Sequence, residues 1–414
     1  MLDLKFIRDN QELVHKKAEE KGFKVEVKKI VELDEKRRKV LQETENLRGQ
    51  RNQKSKTKPI PEEIVRLRKV GEEIKTKEEE LFKIENQLED LVLAVPNLAF
   101  DEVPVANDES GNKVLKKWGT PKKFSFAPLD HVALGEKLDL IDVERGTKVA
   151  QSGFYFLKNE AALLEFALIN YIMAKLVKKG FTPVVTPELV NEKIIGGTGY
   201  KARSEKERQI YKVEDEDLHL IATAEITLVG QHAQEIIDVK NLPIKYVGFS
   251  SCFRVERGSY GKDVRGILRV HEFDKVEMVA FCMPEDSAKL HDEFLQVEEE
   301  IFQDLEIPYQ VLLICTGDLG SAAAKKYDVE AWMPSQNKYR EVTSTSNTTD
   351  FQARRLNIKY KEAGKTEILH TLNGTACAIG RTLIAILENN QQEDGTVLIP
   401  KVLQPFLGKE KISR

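Results

Sequence analysis

Residues 250–277 read SSCFRVERGSYGKDVRGILRVHEFDKVE, and the rest of the chain is organised around them. The limb entering from Lys245 to Glu256 is rich in β-branched and aromatic residues, and the limb from Ile267 to Cys282 matches it, so both are expected as strands. Between them, Arg257 to Gly266 holds three glycines and four charged residues. The pattern predicts a strand, a polar loop and a returning antiparallel strand.

Alternation along a strand then decides which side chains meet. Arg269, His271, Phe273, Lys275 and Glu277 point to one face, and Arg254 and Glu256 share a face on the first limb. If the two faces coincide, one surface carries two guanidiniums, an aromatic ring and two carboxylates. Such a surface could hold a nucleotide, with arginines for phosphates, a ring for the purine and acids for an amine. The same alternation also suits a half-solvated sheet face whose charges pair across strands. This stretch alone leaves both readings open.

The chain has 414 residues, enough for two domains. Its 64 basic and 68 acidic side chains leave a formal charge of −4, so no global field marks a polyanion partner. Cys252, Cys282, Cys315 and Cys377 form no CxxC pair, which suits free thiols in a reducing compartment better than a metal cluster. The charged start MLDLKFIRDN argues against a secretory signal. No apolar run approaches the roughly 18 residues of a membrane span. These features together imply a soluble cytoplasmic protein that touches no membrane.

Residues 1–26 suggest a short helical segment. Apolar positions then fall at Ile30, Leu33, Val40 and Leu47, and again at Leu67, Val70, Ile74, Leu81, Ile84, Leu88 and Leu91, with the spacing of a heptad seam. KSKTKPIP, residues 54–61, separates the two runs, and Pro61 before Glu62 and Glu63 suits a helix first turn. Two helices of this length joined by a short loop fold back as an antiparallel hairpin about 45 Å long. From Arg48 to Lys69 the eight basic residues Arg48, Arg51, Lys54, Lys56, Lys58, Arg66, Arg68 and Lys69 face two acids, Glu62 and Glu63. That tip is a candidate reader of a phosphate backbone, and equally a solvated coiled-coil face.

Residues 96–117, with Pro96, Pro104 and Gly111, are expected as a linker between a helical domain over 1–95 and a mixed domain over 118–414. In the second domain GFTPVVTPELV follows a helix over Glu160 to Lys179. LHLIATAEITL sets Thr223 and Glu225 two apart at strand spacing. KYREVTSTSN sets Glu341, Thr343 and Thr345 on one side of a strand and Ser344 and Ser346 on the other. TLNGTACAIGRTLIAILEN sets Thr371, Asn373 and Thr375 on one side, then turns into a helix with Arg381 in its first turn. A cation there opposes the helix dipole unless an anion is bound. There is no GxxxxGK[ST] loop and no HExxH, so an ATP site would have to lie on an antiparallel sheet.

With these segments in order, the chain resembles the bacterial-type seryl-tRNA synthetases, which are class II aminoacyl-tRNA synthetases, over essentially its whole length. FRVE with RVHEFDKVE resembles motif 2, NGTACAIGRTLIAILEN motif 3 and GFTPVVTPELV motif 1; TAE and EVTSTSN resemble signatures of the seryl branch. The resemblance implies an α+β fold: an N-terminal antiparallel coiled-coil arm and a catalytic domain on an antiparallel β-sheet flanked by helices.

It also implies roles. Arg254 and Arg381 are the catalytic arginines. The ATP site comprises Arg254, Val255, Glu256, Arg269, Phe273, Glu341, Val342, Thr343, Ser344 and Arg381, with Glu341 and Ser344 linked to Mg²⁺. The serine site comprises Thr223, Ala224, Glu225, Arg254, Glu277, Asn373 and Thr375, with either Glu225 or Glu277 for the ammonium. No zinc is expected, because none of the four cysteines falls among these positions. The implied partners are L-serine, tRNA(Ser) and also tRNA(Sec) through the arm, and a second copy of the chain through motif 1. Thr345 and Thr348 stand where the family often has cysteines, and Arg257 and Tyr260 where it often has a small loop residue; neither pair falls on an implied ligand position. Two rivals stay in view: a synthetase-like ligase that loads a carrier protein, and a coiled-coil interaction protein with an inactive second domain.

Overall fold

The computed structural model describes residues 2–54, 61–200, 209–256 and 265–414, with Lys54 described by its backbone alone. Lys56, Lys58, Arg257 and Tyr260 and the side chain of Lys54 lie outside the described residues. The chain divides into two compact units, 1–98 and 99–414.

The first unit opens with α1 (Leu4–Asp9), capped by Asp3, whose carboxylate accepts from the N–H groups of Lys5 and Phe6 at 2.8 and 3.1 Å. Next come α2 (Gln11–Glu20), α3 (Val27–Lys54) and α4 (Pro61–Leu93). The heptad seam holds, with Ile30, Val40, Ile74, Ile84 and Leu88 buried. Ion pairs Lys36–Glu80 at 3.2 Å and Lys77–Glu43 at 2.7 Å cross between α3 and α4, and the partner number falls on α4 as it rises on α3, so the hairpin is antiparallel. Arg48, Arg51, Arg66, Arg68 and Lys69 are exposed, and Arg48 is the one of them that pairs with Glu78.

The second unit is built on eight strands: β1 (Lys113–Trp118), β2 (Thr182–Val185), β3 (Ile244–Phe253), β4 (Glu272–Cys282), β5 (Tyr309–Leu313), β6 (Lys325–Met333), β7 (Lys338–Thr349) and β8 (His370–Ala378). Their order is β1-β5-β6-β7-β8-β4-β3-β2. All neighbours are antiparallel except the edge strand β2, which runs parallel to β3. Pro183 is tolerated there because an edge strand leaves one row of backbone donors unused.

The expected linker over 96–117 needs correction. Residues 96–98 belong to the helical unit, and 99–118 to the sheet unit. The polar groups of this stretch are spent on neighbouring backbone: Asn112 Oδ1 accepts from the N–H of Cys315 at 2.9 Å, and Thr316 Oγ1 donates to Ala106 O at 3.1 Å. With its loop anchored, 113–118 pairs as an edge strand.

The paired strands around residue 260 are also shorter than expected. The first ends at Phe253 and the second begins at Glu272, although Arg254 N–H still donates to His271 O at 2.8 Å. Glu256 has φ 47° and Gly266 φ 78°, and both turn the backbone out of the ladder. Ile267 N–H is instead taken by His131 Nε2 at 3.2 Å.

The main core lies where Val276, Met278 and Ala280 of β4 meet three helices, α5 (Asn159–Lys178), α8 (Ser287–Asp304) and α10 (Ile379–Asn390). Val279 and Phe281 point the other way and pack with α7 (Ala224–Gly230) and α9 (Phe351–Leu356); α6 (Glu192–Thr198) contacts both of these helices. The sheet face that buries Val279 and Phe281 at one end carries Glu277, Lys275 and Phe273 further along β4. Among the described residues, no helix is long and apolar enough to cross a membrane.

Candidate active site

A cavity of about 250 Å³ opens on that face, lined from β4 by Phe273, Lys275 and Glu277, from β8 by Asn373 and Thr375, and from β7 by Glu341 to Ser344 and Ser346. Arg254, Glu256, Arg269 and Arg381 complete one end, Tyr200 and Glu225 the other. Register explains the convergence: Glu277 faces Thr375 on β8, and Ser346 of β7 faces Asn373.

Two expectations change here. Strict alternation sets Glu341 opposite Ser344, yet Val329 pairs with Thr343 and Glu330 with Glu341, so Val342 is a bulge. The extra residue turns Glu341 onto the face of Ser344 and Ser346, while Thr343 Oγ1 donates to Glu298 of α8 at 2.9 Å. Thr223 and Glu225, read as strand neighbours, instead start α7: Thr223 Oγ1 caps it by accepting from the N–H of Glu225 at 3.2 Å.

The arginines are held by partners that a nucleotide could replace. Arg269 Nε pairs with Glu256 at 2.5 Å, and Arg381 pairs with Glu341 at 3.1 Å, which supplies an anion for the cation in the first turn of α10. The Arg254 guanidinium lies 5.1 Å over the Phe273 ring. Burial pushes the Glu341 carboxyl up, but Arg381 and Lys326 outweigh it and hold it below its ordinary value. An adjoining cavity shares Arg269, Lys326, Glu341 and Arg381 and adds Asp318, Asp328 and Glu330. Burial carries Asp328 up to about 7 against the pull of Lys326, and its Oδ1 has no hydrogen-bond partner among the described residues.

At the other end two buried carboxylates differ in charge balance. Glu277 is ion-paired with Lys275 at 2.5 Å and accepts from Thr375 Oγ1 at 3.0 Å. Glu225 accepts from Tyr200 OH and Gln352 Nε2, each at 2.7 Å, and from Asn373 Nδ2 at 3.0 Å, all neutral donors. Burial, then Glu277 beside it, raises Glu225 to about 7 despite those bonds.

The cavity end with three arginines and the end with two unequal carboxylates suit a nucleotide joined to a small zwitterion. Residues 211–390 match the model of the tRNA synthetase class II core domain (G, H, P, S and T), and residues 1–99 that of the seryl-tRNA synthetase N-terminal domain. A serine–tRNA ligase of Rubrobacter xylanophilus is 48% identical over 420 residues, spanning 100% of this chain and 99% of its own. That of Dictyoglomus turgidum is 50% identical over 422 residues, with 100% and 99% covered. The crystal structure of seryl-tRNA synthetase from Pyrococcus horikoshii complexed with ATP superposes with a TM-score of 0.92 at 43% identity, covering 100% of this chain and 99% of that one.

The chain belongs to the seryl-tRNA synthetase family.

Of the site positions implied by resemblance to the seryl-tRNA synthetases, thirteen reach the cavity wall, from Glu225 to Arg381. Thr223, Ala224 and Val255 do not: Thr223 turns to Lys275, Ala224 is buried against the second core, and Val255 N–H donates to Gln209 O at 2.8 Å. His271 is a packed residue, stacked on Phe154 with Nδ1 2.9 Å from Arg254 O. Sequence reasoning missed Tyr200, Lys275, Lys326, Asp328 and Gln352. For Lys275 a signal existed, since it alternates onto the same face as Phe273 and Glu277. For Tyr200 and Gln352 none did, because they meet Glu225 only through the tertiary fold.

Proposed function

We propose that the chain activates L-serine with ATP to seryl-adenylate and passes the seryl group to the 3′ end of tRNA(Ser), and of tRNA(Sec) by the same route. The observation that carries this reading is the inequality of the two buried carboxylates. Glu277 is neutralised by Lys275 and offers acceptors to a hydroxyl, whereas Glu225 has three neutral donors and awaits a cation, the serine ammonium. Alanine in this pocket would leave Glu277 Oε1 without the donor that the serine hydroxyl supplies, and a mismatch of that kind can discriminate by about 10⁴.

The serine carboxylate attacks the α-phosphorus in line, and pyrophosphate leaves toward Arg269 and Arg381. Arg254 grips both the attacking carboxylate and the α-phosphate and so sets the approach. Adenine stacks on Phe273 with its amine at Glu256. Charge spreads over phosphorus as the bond forms, and fixed guanidiniums in a partly enclosed site stabilise it without moving a proton. In the second step the terminal ribose hydroxyl attacks the adenylate carbonyl and AMP departs.

Glu341 and Ser344 would hold Mg²⁺ brought with ATP, and Asp328 Oδ1, which has no hydrogen-bond partner among the described residues, is a carboxylate oxygen beside them that fits it. The ion would supply charge neutralisation at the phosphates. All four cysteines are buried and none lines the cavity, which supports a serine pocket without zinc and a reducing, cytoplasmic setting. The exposed tip residues Arg51, Arg66, Arg68 and Lys69 are the proposed tRNA contacts on the arm, together with Arg48, Lys54, Lys56 and Lys58 by sequence. Val185 on β2, within the motif 1 segment and 84% accessible, supports a homodimer through that segment.

Amino-acid-dependent ATP–pyrophosphate exchange, followed by charging of tRNA(Ser), tests the reading. Exchange with serine and not with alanine or threonine is expected. No exchange with any amino acid would sink it in favour of an interaction protein, and exchange without tRNA charging would favour the carrier-protein ligase.

A further inference from the structure

Lys275 sits in the middle of β4, 5% exposed, beneath the cavity floor. Its ammonium spends all three donors on groups of the pocket: Glu277 Oε2 at 2.5 Å, Thr223 Oγ1 at 2.7 Å and Thr375 Oγ1 at 3.4 Å. Thr375 Oγ1 in turn donates to the same Glu277 oxygen at 3.0 Å. Both bonds of the Glu277 carboxylate fall on Oε2, and Oε1 has no hydrogen-bond partner among the described residues.

A buried lysine is costly, since desolvation disfavours its charge unless an anion lies close. Here the anion is a carboxylate that the substrate needs. Without Lys275 the pocket would hold two equivalent carboxylates, Glu225 and Glu277, and an incoming ammonium could dock on either. Docked on Glu277, the ammonium would take the position of the side-chain hydroxyl and point the substrate carboxylate away from Arg254. Lys275 removes that ambiguity by satisfying the charge of one carboxylate and leaving the other bare.

We infer that Lys275 is a positioning residue for substrate choice: by balancing Glu277 it reserves that carboxylate for a neutral hydroxyl and assigns the ammonium to Glu225. It acts through Glu277 and touches no reacting atom. The inference rests on the reading of this cavity as a serine site. Its consequence is that the charge of Lys275 matters only while Glu277 is charged.

The test is a double-mutant cycle on the full-length protein with Lys275→Met, Glu277→Gln and the pair combined, read by serine- and alanine-dependent ATP–pyrophosphate exchange. Serine-dependent exchange by the unsubstituted protein comes first, since its absence would sink the serine reading itself. Each single substitution leaves one buried charge uncompensated, so each raises the serine KM by about 100-fold or more. Each also lowers the serine-over-alanine ratio, while the ATP KM stays within about twofold because no nucleotide contact is lost. The double variant recovers serine KM by about tenfold relative to either single, because the amide introduced by Glu277→Gln still bonds the hydroxyl and no charge is left over.

A lysine that merely fills space would leave the double no better than Glu277→Gln, and that result overturns the inference. So does a Lys275→Met protein with unchanged serine KM and ratio, or one whose ATP KM rises in step. Should Lys275→Met fail to fold, the comparison of Glu277→Gln with the double still decides.

Discussion

Replacing Glu225 by Gln isolates the proposed ammonium site. The side chain is 4% exposed, and its three hydrogen-bonding neighbours can be kept by an amide with little change of volume. What disappears is the charge. Removing one member of a buried, hydrogen-bonded charge pair costs about 2–5 kcal/mol. At about 1.4 kcal/mol per tenfold, that is a fall of roughly 30-fold to several thousandfold in serine kcat/KM.

The pH profile gives a sharper reading. Glu225 titrates at about 7 in the unliganded protein, and only its ionised form can pair with an ammonium. Serine kcat/KM should therefore rise about tenfold between pH 6 and pH 8, following the ionisation of the free protein. The sign reverses for stability: with its pKa raised above the ordinary 4.5, Glu225 contributes stability that is present below 4.5 and lost as pH rises through about 7. Serine should restore it, so the thermal shift caused by serine grows over the same window. In Glu225→Gln both the profile and the shift should flatten, with the ATP KM unchanged. A substituted protein that keeps the wild-type step near pH 7 would refute the assignment of the ammonium to Glu225.

Further outcomes are expected elsewhere. Reversing Arg51, Arg66, Arg68 and Lys69 to Glu should lower kcat/KM for tRNA by about 100-fold or more and reduce its salt dependence, while serine-dependent exchange is spared; equal loss in both assays would show that the arm is not the tRNA contact. Sedimentation should find a dimer of 47.1 kDa chains, and Val185→Asp should shift it toward monomer; a fully active monomeric wild type argues against the dimer. Gly374→Ala places a methyl group 2.9 Å from Thr345 Oγ1 and 3.0 Å from Phe294, between the sheet and α8. It should cost about 1–3 kcal/mol in denaturant unfolding, and an unchanged midpoint would mean that this contact relaxes freely.

The heptad seam from Ile30 to Leu91 and the flanking strands of the 250–277 stretch were legible because periods of 3.5 and 2 are local properties of the chain. So was the convergence of Phe273, Lys275 and Glu277. Alternation failed where the backbone departs from its period: the bulge at Val342 carries Glu341 to the opposite face, and no residue type announces it. The linker expected over 96–117 failed for a related reason, since its Pro, Gly and Asn content is the same whether such a stretch floats in water or caps a sheet edge.

Sequence alone therefore determined the two-part architecture and the family resemblance, both of which depend on residue order. Which carboxylate is bare and which is neutralised was decided only by tertiary structure. Glu225, Gln352 and Asn373 come from separate segments, and Lys275, although it lies two residues from Glu277 on one strand, reaches the helix cap Thr223 only through the tertiary fold. Charge balance in a buried pocket is a sum over neighbours in space, and residue order does not carry that sum.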